Sequence, residues 1–258
     1  MKQRIITGIV LAVVILPCVV YGALPFKIVI AFISIGAAYE LLHITHNPKP
    51  LPYLYPVLAI YIVAQVFYGK ELSGNNAIII GLLIVLLTAA LFDETMRMQR
   101  MAYYFTSSVL VSLGIHMIYV LRLQYGLNYV IFLAAATLLA DTGAYFVGVK
   151  FGRHKLIERL SPKKTIEGSI GGIIVGGLGA ILLTGYLPIE LSTIGTVVSA
   201  FVLSTTGQIG DLTFSSFKRA FDIKDYSQIF PGHGGVLDRF DSIIFNAMVF
   251  GLLMKIFM

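Results

Sequence analysis

The residues of this chain that are best suited to chemistry lie close together in one polar segment, residues 215–241. Its charged and titratable side chains are Lys218, Arg219, Asp222, Lys224, Asp225, His233, Asp238, Arg239 and Asp241. Carboxylates beside clusters of basic side chains are typical of sites where phosphate groups react. The run Pro-Gly-His-Gly-Gly at 231–235 predicts irregular backbone, because Pro and Gly both interrupt regular structure. Since most of the chain is apolar, this segment is the first candidate for a functional site.

Asp141 and Asp211 are acidic residues within, or at the end of, long apolar runs. A carboxylate at the centre of a membrane-spanning helix costs about 2.5–3.5 kcal/mol, so it usually faces a polar cavity and a partner. Carboxylates from two helices suit Mg²⁺, which prefers oxygen ligands and shares substrate phosphates. Two alternatives stay open. Asp141 is solvated near a helix end, or both acids carry protons or cations in a secondary transporter.

Lys163, Lys164 and Thr165 stand directly before another apolar run. A helix start attracts anions, because its first backbone N–H groups are free and its dipole is positive there. We therefore expect these three residues to bind phosphate.

Within that next run, glycine recurs every four residues, at Gly168, Gly172 and Gly176. This spacing places the three glycines on one helix face and is typical of close helix packing in lipid. We favour this packing role over a phosphate cradle.

The composition indicates which elements must position these residues. Hydrophobic residues make up 57 % of the 258 residues and charged residues 12 %, against roughly 25 % charged in soluble proteins. The mean hydropathy is +0.87, which predicts an integral membrane protein. The net charge of +6 resides in short loops, so we expect no nucleic-acid partner. Cys18 is the only cysteine, which excludes an intramolecular disulfide.

The apolar runs predict an all-α, polytopic membrane helix bundle with about nine transmembrane helices. The predicted helices are 5–22, 26–44, 52–68, 76–92, 103–121, 127–149, 168–187, 191–213 and 242–257. With the amino terminus in the cytoplasm, most Lys and Arg residues fall on the inner side, as the positive-inside rule requires. The first run resembles a secretory signal but lacks a convincing cleavage site, so we expect an uncleaved first span.

The distribution of polar groups divides this single membrane domain into two parts. Residues 1–125 carry few polar groups within the apolar runs and are predicted to be scaffold helices. Residues 126–258 are predicted to be the catalytic part, with cytoplasmic loops at 150–167 and 214–241.

Taken together, the motifs resemble the signature of the phosphatidate cytidylyltransferases, also called CDP-diacylglycerol synthases. In the polar segment the resemblance rests on Ser215, Phe217, Lys218, Arg219, Lys224, Asp225, Ser227, Phe230, Pro231, His233, Gly234, Gly235, Val236, Asp238, Arg239, Phe240 and Asp241. It extends to Asp141-Thr142-Gly143-Ala144-Tyr145-Phe146 with Gly148, to Ser161-Pro162-Lys163-Lys164-Thr165 with Glu167 and Gly168, and to Gln208 with Gly210 and Asp211. These motifs cover about the second half of the chain. The first half shows only a general similarity in length and hydropathy.

The resemblance implies a reaction in which phosphatidate attacks the α-phosphorus of CTP, giving CDP-diacylglycerol and diphosphate. It implies catalytic roles for Asp211, Lys218, Arg219, His233, Asp238, Arg239 and Asp241. Substrate-binding roles are implied for Lys163, Lys164, Thr165, Ser215, Lys224, Asp225, Gly234 and Gly235. The implied metal ligands are drawn from Asp141, Asp211, Asp238 and Asp241, with Mg²⁺ as the cofactor and a second cation left open.

The expected partners are CTP, phosphatidate, membrane lipids and a second copy of the chain in a homodimer. The expected location is the bacterial inner membrane, with the active site facing the cytoplasm. A CDP-alcohol phosphotransferase is disfavoured, because that family needs an Asp-Gly dipeptide and no Asp here precedes a Gly.

Overall fold

The computed structural model describes residues 2–44, 51–69, 77–230, 232 and 234–258. Within these ranges the chain forms helices α1 (Lys2–Tyr21), α2 (Ala23–His43), α3 (Leu54–Tyr68), α4 (Ala77–Phe92), α5 (Met98–Val120), α6 (Leu127–Phe151), α7 (Ile166–Thr184), α8 (Thr193–Ala220) and α9 (Leu237–Phe257). A π-helical turn, Leu121–Tyr125, follows α5. Two short strands, β1 (Lys155–Ile157) and β2 (Ser161–Thr165), lie between α6 and α7.

Among the described residues, five helices are long and apolar enough to cross a membrane. They are α2, α5 with its π-helical turn, α6, α7 and α9, while α3, α4 and the Thr7–Tyr21 part of α1 are shorter apolar helices. The prediction of a helical membrane protein is confirmed in this sense. Nine spans and a cytoplasmic amino terminus stay predictions.

The predicted loop at 150–167 contains an antiparallel hairpin, which the all-α prediction did not include. Lys155 pairs with Thr165 and Ile157 with Ser161, with an irregularity in register between the two pairs. Gly152 ends α6, and Pro162 disfavours a helix, so the backbone groups of this loop pair across two strands instead.

Helices α8 and α9 both extend into the polar segment further than predicted. Lys218 and Arg219 lie in the last turn of α8, where basic side chains complement the negative end of the helix dipole. Asp238 lies in the first turn of α9, where an acidic side chain is favourable for the same reason. We call the described residues between these two helices, 221–230, 232 and 234–236, the connecting loop.

The chain groups into two compact units. The first unit comprises the chain up to Tyr119 together with Ala220–Arg239, and the second comprises Val120–Arg219 together with Phe240–Met258. The connecting loop is thus packed with the amino-terminal helices. The functional division between residues 125 and 126 stays a prediction.

In the first unit, α2 packs against α3, and buried side chains such as Phe26, Leu58 and Tyr104 fill the core. Two polar contacts link the helices of this core. The Tyr103 hydroxyl donates to Leu41 O at 3.3 Å, and His116 Nδ1 lies 2.9 Å from Val66 O.

In the second unit, α6 and α7 approach each other closely along the predicted glycine face. A Cβ atom on Gly168 would lie 2.7 Å from Ala144 O, and one on Gly172 would lie 2.6 Å from Ala140 O. Because no real side chain fits at these distances, the packing role predicted for the glycines is confirmed.

Candidate functional site

The second unit brings together one basic and two acidic side chains of the predicted site. Lys164 Nζ forms an ion pair with Asp211 Oδ2, and both side chains are about one quarter exposed. Asp141 interacts electrostatically with both Lys164 and Asp211. Residues from α6, β2 and α8 therefore meet in one charged cluster, which we call the Asp–Lys–Asp cluster.

The start of α7 positions Lys164. Thr165 is the N-cap residue of α7, and its hydroxyl oxygen accepts a hydrogen bond from Gly168 N at 3.1 Å. Glu167, in the first turn, accepts hydrogen bonds from the backbone N–H groups of Arg153 (3.0 Å) and His154 (3.2 Å). The hairpin is therefore tied to the helix at both ends, and Lys163 and Lys164 stand at the helix start as predicted.

Buried polar contacts fix α8 against α6 and α9. The Asn246 amide donates to Thr137 Oγ1 and to Leu203 O, both at 2.8 Å, and accepts from the Thr206 hydroxyl at 2.6 Å. Asn246 is fully buried. A Cβ atom on Gly210 would lie 2.6 Å from Phe245 Cβ, so α8 and α9 are in close contact beside Asp211.

Helix α8 carries four of the predicted site residues. Asp211, Ser215 and Lys218 are spaced by four and three residues and so lie on one helix face. Lys218 is only 8 % exposed, whereas Arg219 is exposed. This face of α8 therefore carries an acidic, a hydroxyl and a basic side chain.

Asp241, on α9, is only 8 % exposed. Its Oδ1 accepts a hydrogen bond from Ser242 N at 2.7 Å. Asp241 belongs to the second unit, like Asp141 and Asp211.

The remaining predicted residues belong to the first unit. Lys224, Asp225 and Arg239 are exposed. Gly234 has a φ of 83°, a backbone conformation that residues with a side chain rarely adopt. His233 lies outside the described residues. The structure places Lys224, Asp225 and Gly234 in the connecting loop and Arg239 in the first turn of α9, while their chemical roles stay predictions.

Asp238 organises the connecting loop. Its Oδ2 accepts hydrogen bonds from Tyr226 N at 2.8 Å and from Gly235 N at 2.9 Å. The predicted role of Asp238 as a metal ligand stays a prediction, but the geometry gives this carboxylate a second task in loop folding.

Two polar residues that the sequence analysis did not single out contact the predicted motifs. Glu40 on α2 is fully buried and binds the connecting loop, and Asn246 holds α8 against α9. The signal for Glu40 was present, since a carboxylate within the apolar run of α2 is as unusual as Asp141. Asn246 had a weaker signal, as one amide in an apolar helix.

The Asp–Lys–Asp cluster could supply only some of the ligands of a magnesium ion. Within the described ranges, no group of three or more His, Cys, Asp or Glu side chains is placed to hold a metal ion. Asp141 and Asp211 offer two carboxylates beside Lys164, and Mg²⁺ commonly takes one or two carboxylates together with water and substrate phosphates. These residues therefore fit a cation that takes its remaining ligands from water and phosphate.

Comparison with known proteins identifies the family. The family model described as "Cytidylyltransferase family" matches residues 2–257. The chain is 34 % identical over 253 residues to a protein of Bacillus subtilis (strain 168) named phosphatidate cytidylyltransferase, covering 95 % of this chain and 94 % of the relative. It is 32 % identical over 258 residues to the protein of that name from Staphylococcus haemolyticus (strain JCSC1435), covering 98 % and 99 %. The protein of that name from Staphylococcus aureus (strain COL) is 32 % identical over 264 residues, again covering 98 % and 99 %. With similarity along nearly its whole length, the chain belongs to the cytidylyltransferase family.

Proposed function

We propose that this protein transfers the cytidylyl group of CTP to phosphatidate, forming CDP-diacylglycerol and releasing diphosphate in phospholipid biosynthesis. The observation that carries this proposal is the similarity along nearly the full chain to relatives named phosphatidate cytidylyltransferase. The Asp–Lys–Asp cluster supports it, because acids beside bases suit a reaction between phosphate groups.

In this reaction an oxygen of the phosphatidate phosphate attacks the α-phosphorus of CTP. The bond from that phosphorus to the bridging oxygen breaks, and diphosphate leaves with the bond electrons. The nucleophile is already an anion, so no strong general base is required. The protein must instead hold several anions together and neutralise their charge.

We assign this neutralisation to the basic residues at the start of α7 and the end of α8. Lys164 is held beside Asp211 and is poised to contact a phosphate, and the buried Lys218 lies on the same helix face as Asp211. Lys163, Arg219 and Arg239 are the further basic residues proposed to contact phosphates.

We propose Mg²⁺ as the cofactor, held by Asp211 and Asp241 together with Asp141 or Asp238. When bound, the cation would neutralise negative charge on the CTP phosphates. The chain's own contribution is to keep the carboxylates close together, which Lys164 does by pairing with Asp211. A second cation is compatible with the number of carboxylates.

We further propose that the protein resides in the bacterial inner membrane, with nine spans and a cytoplasmic amino terminus. This orientation is supported by the basic residues of the polar loops, and it places the site where CTP is available. A homodimer is proposed from the family resemblance alone, and chemical cross-linking in membranes tests it.

The activity is tested with purified protein, phosphatidate, Mg²⁺ and CTP labelled at the α-phosphate. We expect label in the lipid extract only when both substrates are present. Uptake of a solute into liposomes without any CTP turnover would instead indicate a secondary transporter that uses Asp141 and Asp211, and would overturn the proposal.

A further inference from the structure

Glu40 has an environment that its sequence position does not explain. It lies in the last turn and a half of α2, in the part of the chain predicted to be scaffold, and its side chain is fully buried. A buried carboxylate is stable only when hydrogen-bond donors compensate for the water that it loses. The donors around Glu40 therefore indicate what this residue does.

All three donors come from the connecting loop and the start of α9. The Ser227 hydroxyl donates to Glu40 Oε1 at 2.6 Å, and Val236 N donates to the same oxygen at 2.7 Å. Leu237 N donates to Oε2 at 2.8 Å. Both carboxylate oxygens are thus occupied by a segment almost two hundred residues later in the chain.

The contact also completes the amino terminus of α9. Leu237 is the first residue of α9, where backbone N–H groups have no partner within the helix. Glu40 accepts one of these groups, and its negative charge complements the positive end of the helix dipole. Glu40 thus acts as a capping residue supplied by another helix.

The loop packs closely against α2 at this contact. A Cβ atom on Gly235 would collide with the Glu40 carboxylate, and a Cβ atom on Gly36, one turn earlier on α2, would lie 3.0 Å from the Val236 side chain. Asp238 takes two further N–H groups of the loop, those of Tyr226 and Gly235. The two carboxylates together therefore define the path of the loop.

We propose that Glu40 is a positioning residue for the proposed reaction, which sets the start of α9 and thereby the place of Arg239 in its first turn. This inference rests on the proposed function. Glu40 touches no reacting atom and acts through Ser227, Val236 and Leu237. A displacement of about 1 Å in catalytic groups can cost about 100-fold in rate, so a small shift of α9 is sufficient for a large effect.

The test is Glu40→Gln, which keeps the shape of the side chain but replaces one acceptor oxygen with an NH₂ group. That NH₂ group would face a backbone N–H, which is also a donor. We expect a folded protein whose kcat falls about 100-fold while KM for CTP and for phosphatidate changes little, because the lost alignment matters in the transition state. Backbone amide exchange of Val236 and Leu237 is expected to accelerate. The matched control is Glu94→Gln, an exposed glutamate of the same unit, for which wild-type kinetics and exchange are expected.

A role in stability alone would lower the folded fraction and leave kcat per folded molecule unchanged. That result, or a folded Glu40→Gln variant with wild-type kcat and loop exchange, would overturn the proposal. If Glu40→Gln does not fold, Ser227→Ala removes one donor and leaves the carboxylate in place, and wild-type kcat and exchange in that variant would overturn it equally. If the wild-type protein makes no CDP-diacylglycerol, the proposed function fails, while the exchange measurement still tests the loop contact.

Discussion

At the scale of single residues, the identity of the site residues is easier to predict than their contacts. The sequence predicts that Asp141, Lys164 and Asp211 belong to one site, and the structure places these three side chains together. The sequence does not predict that Lys164 pairs with Asp211 rather than with Asp141. That choice depends on where β2 ends and α7 begins, and this boundary depends on the Thr165 cap and on Glu167.

Asp211→Asn provides the sharpest prediction at this scale. The substitution keeps the shape of the side chain but removes the charge that pairs with Lys164 and is proposed to bind Mg²⁺. We expect CTP-dependent product formation to fall about 100- to 1,000-fold, the range found when one preorganised electrostatic group is removed.

The matched control for that change is Asp222→Asn. Asp222 is exposed in the turn after α8 and has a φ of 55°, which Asn tolerates well. Turnover by this variant is expected to equal that of the wild type. Equal turnover by the Asp211→Asn variant would refute the metal and charge role of Asp211.

At the scale of elements, apolar runs predict the helices well, but polar helix ends are not predicted. The charge of residues 214–220 and 237–241 predicts a loop, yet these residues continue α8 and begin α9. The start of α9 depends on Glu40, which accepts the Leu237 N–H from a distant helix. No local pattern contains that information, because the partner lies in another part of the chain.

The space around two glycines predicts different effects when each is replaced by alanine. Gly172→Ala is expected to destabilise the protein by about 1–3 kcal/mol, since the new methyl group would overpack against the backbone of α6. Gly81→Ala, on α4, meets nothing within 4 Å and is expected to be neutral or to stabilise by up to about 1 kcal/mol. Thermal unfolding in detergent measures both. A midpoint for Gly172→Ala at or above that of the wild type would contradict the close packing.

The polar contacts of Asn246 predict a second effect on the stability of α8 and α9. Asn246→Ala leaves the Thr206 hydroxyl and Leu203 O without this buried partner, which typically costs about 1–3 kcal/mol. Thr205→Ala is the control, because the Thr205 hydroxyl donates to the Phe201 carbonyl of its own helix. Chemical unfolding in mixed micelles compares the two variants, and equal midpoints would exclude a structural role for the Asn246 network.

At the scale of the whole molecule, the apolar composition predicts an integral membrane protein. The positions of Lys and Arg along the chain predict its orientation in the membrane. The structure describes five helices long enough to span a membrane, so the count of nine depends on the shorter apolar helices and on α8. Apolar length can be read from sequence because the bilayer fixes it. The grouping of the connecting loop with the amino-terminal helices could not be read in this way, because it results from long-range contacts.

The proposed orientation predicts which positions a membrane-impermeant maleimide reaches in intact cells. In a Cys18→Ser background, Glu158→Cys places a thiol in the exposed turn between β1 and β2, on the proposed cytoplasmic side. Tyr186→Cys places one after α7, at a side chain that is 86 % exposed, on the opposite side. We expect only the Tyr186→Cys variant to be labelled before the cells are permeabilised. Labelling of the Glu158→Cys variant alone would contradict the proposed orientation.

The most direct measurement follows two labels of CTP through one reaction with phosphatidate and Mg²⁺. Cytidylyl transfer predicts that the α-phosphate appears in the lipid extract while an equal amount of the γ-phosphate appears in water-soluble diphosphate. Transfer of the γ-phosphate to lipid, or release of both labels into water, would contradict the proposed reaction.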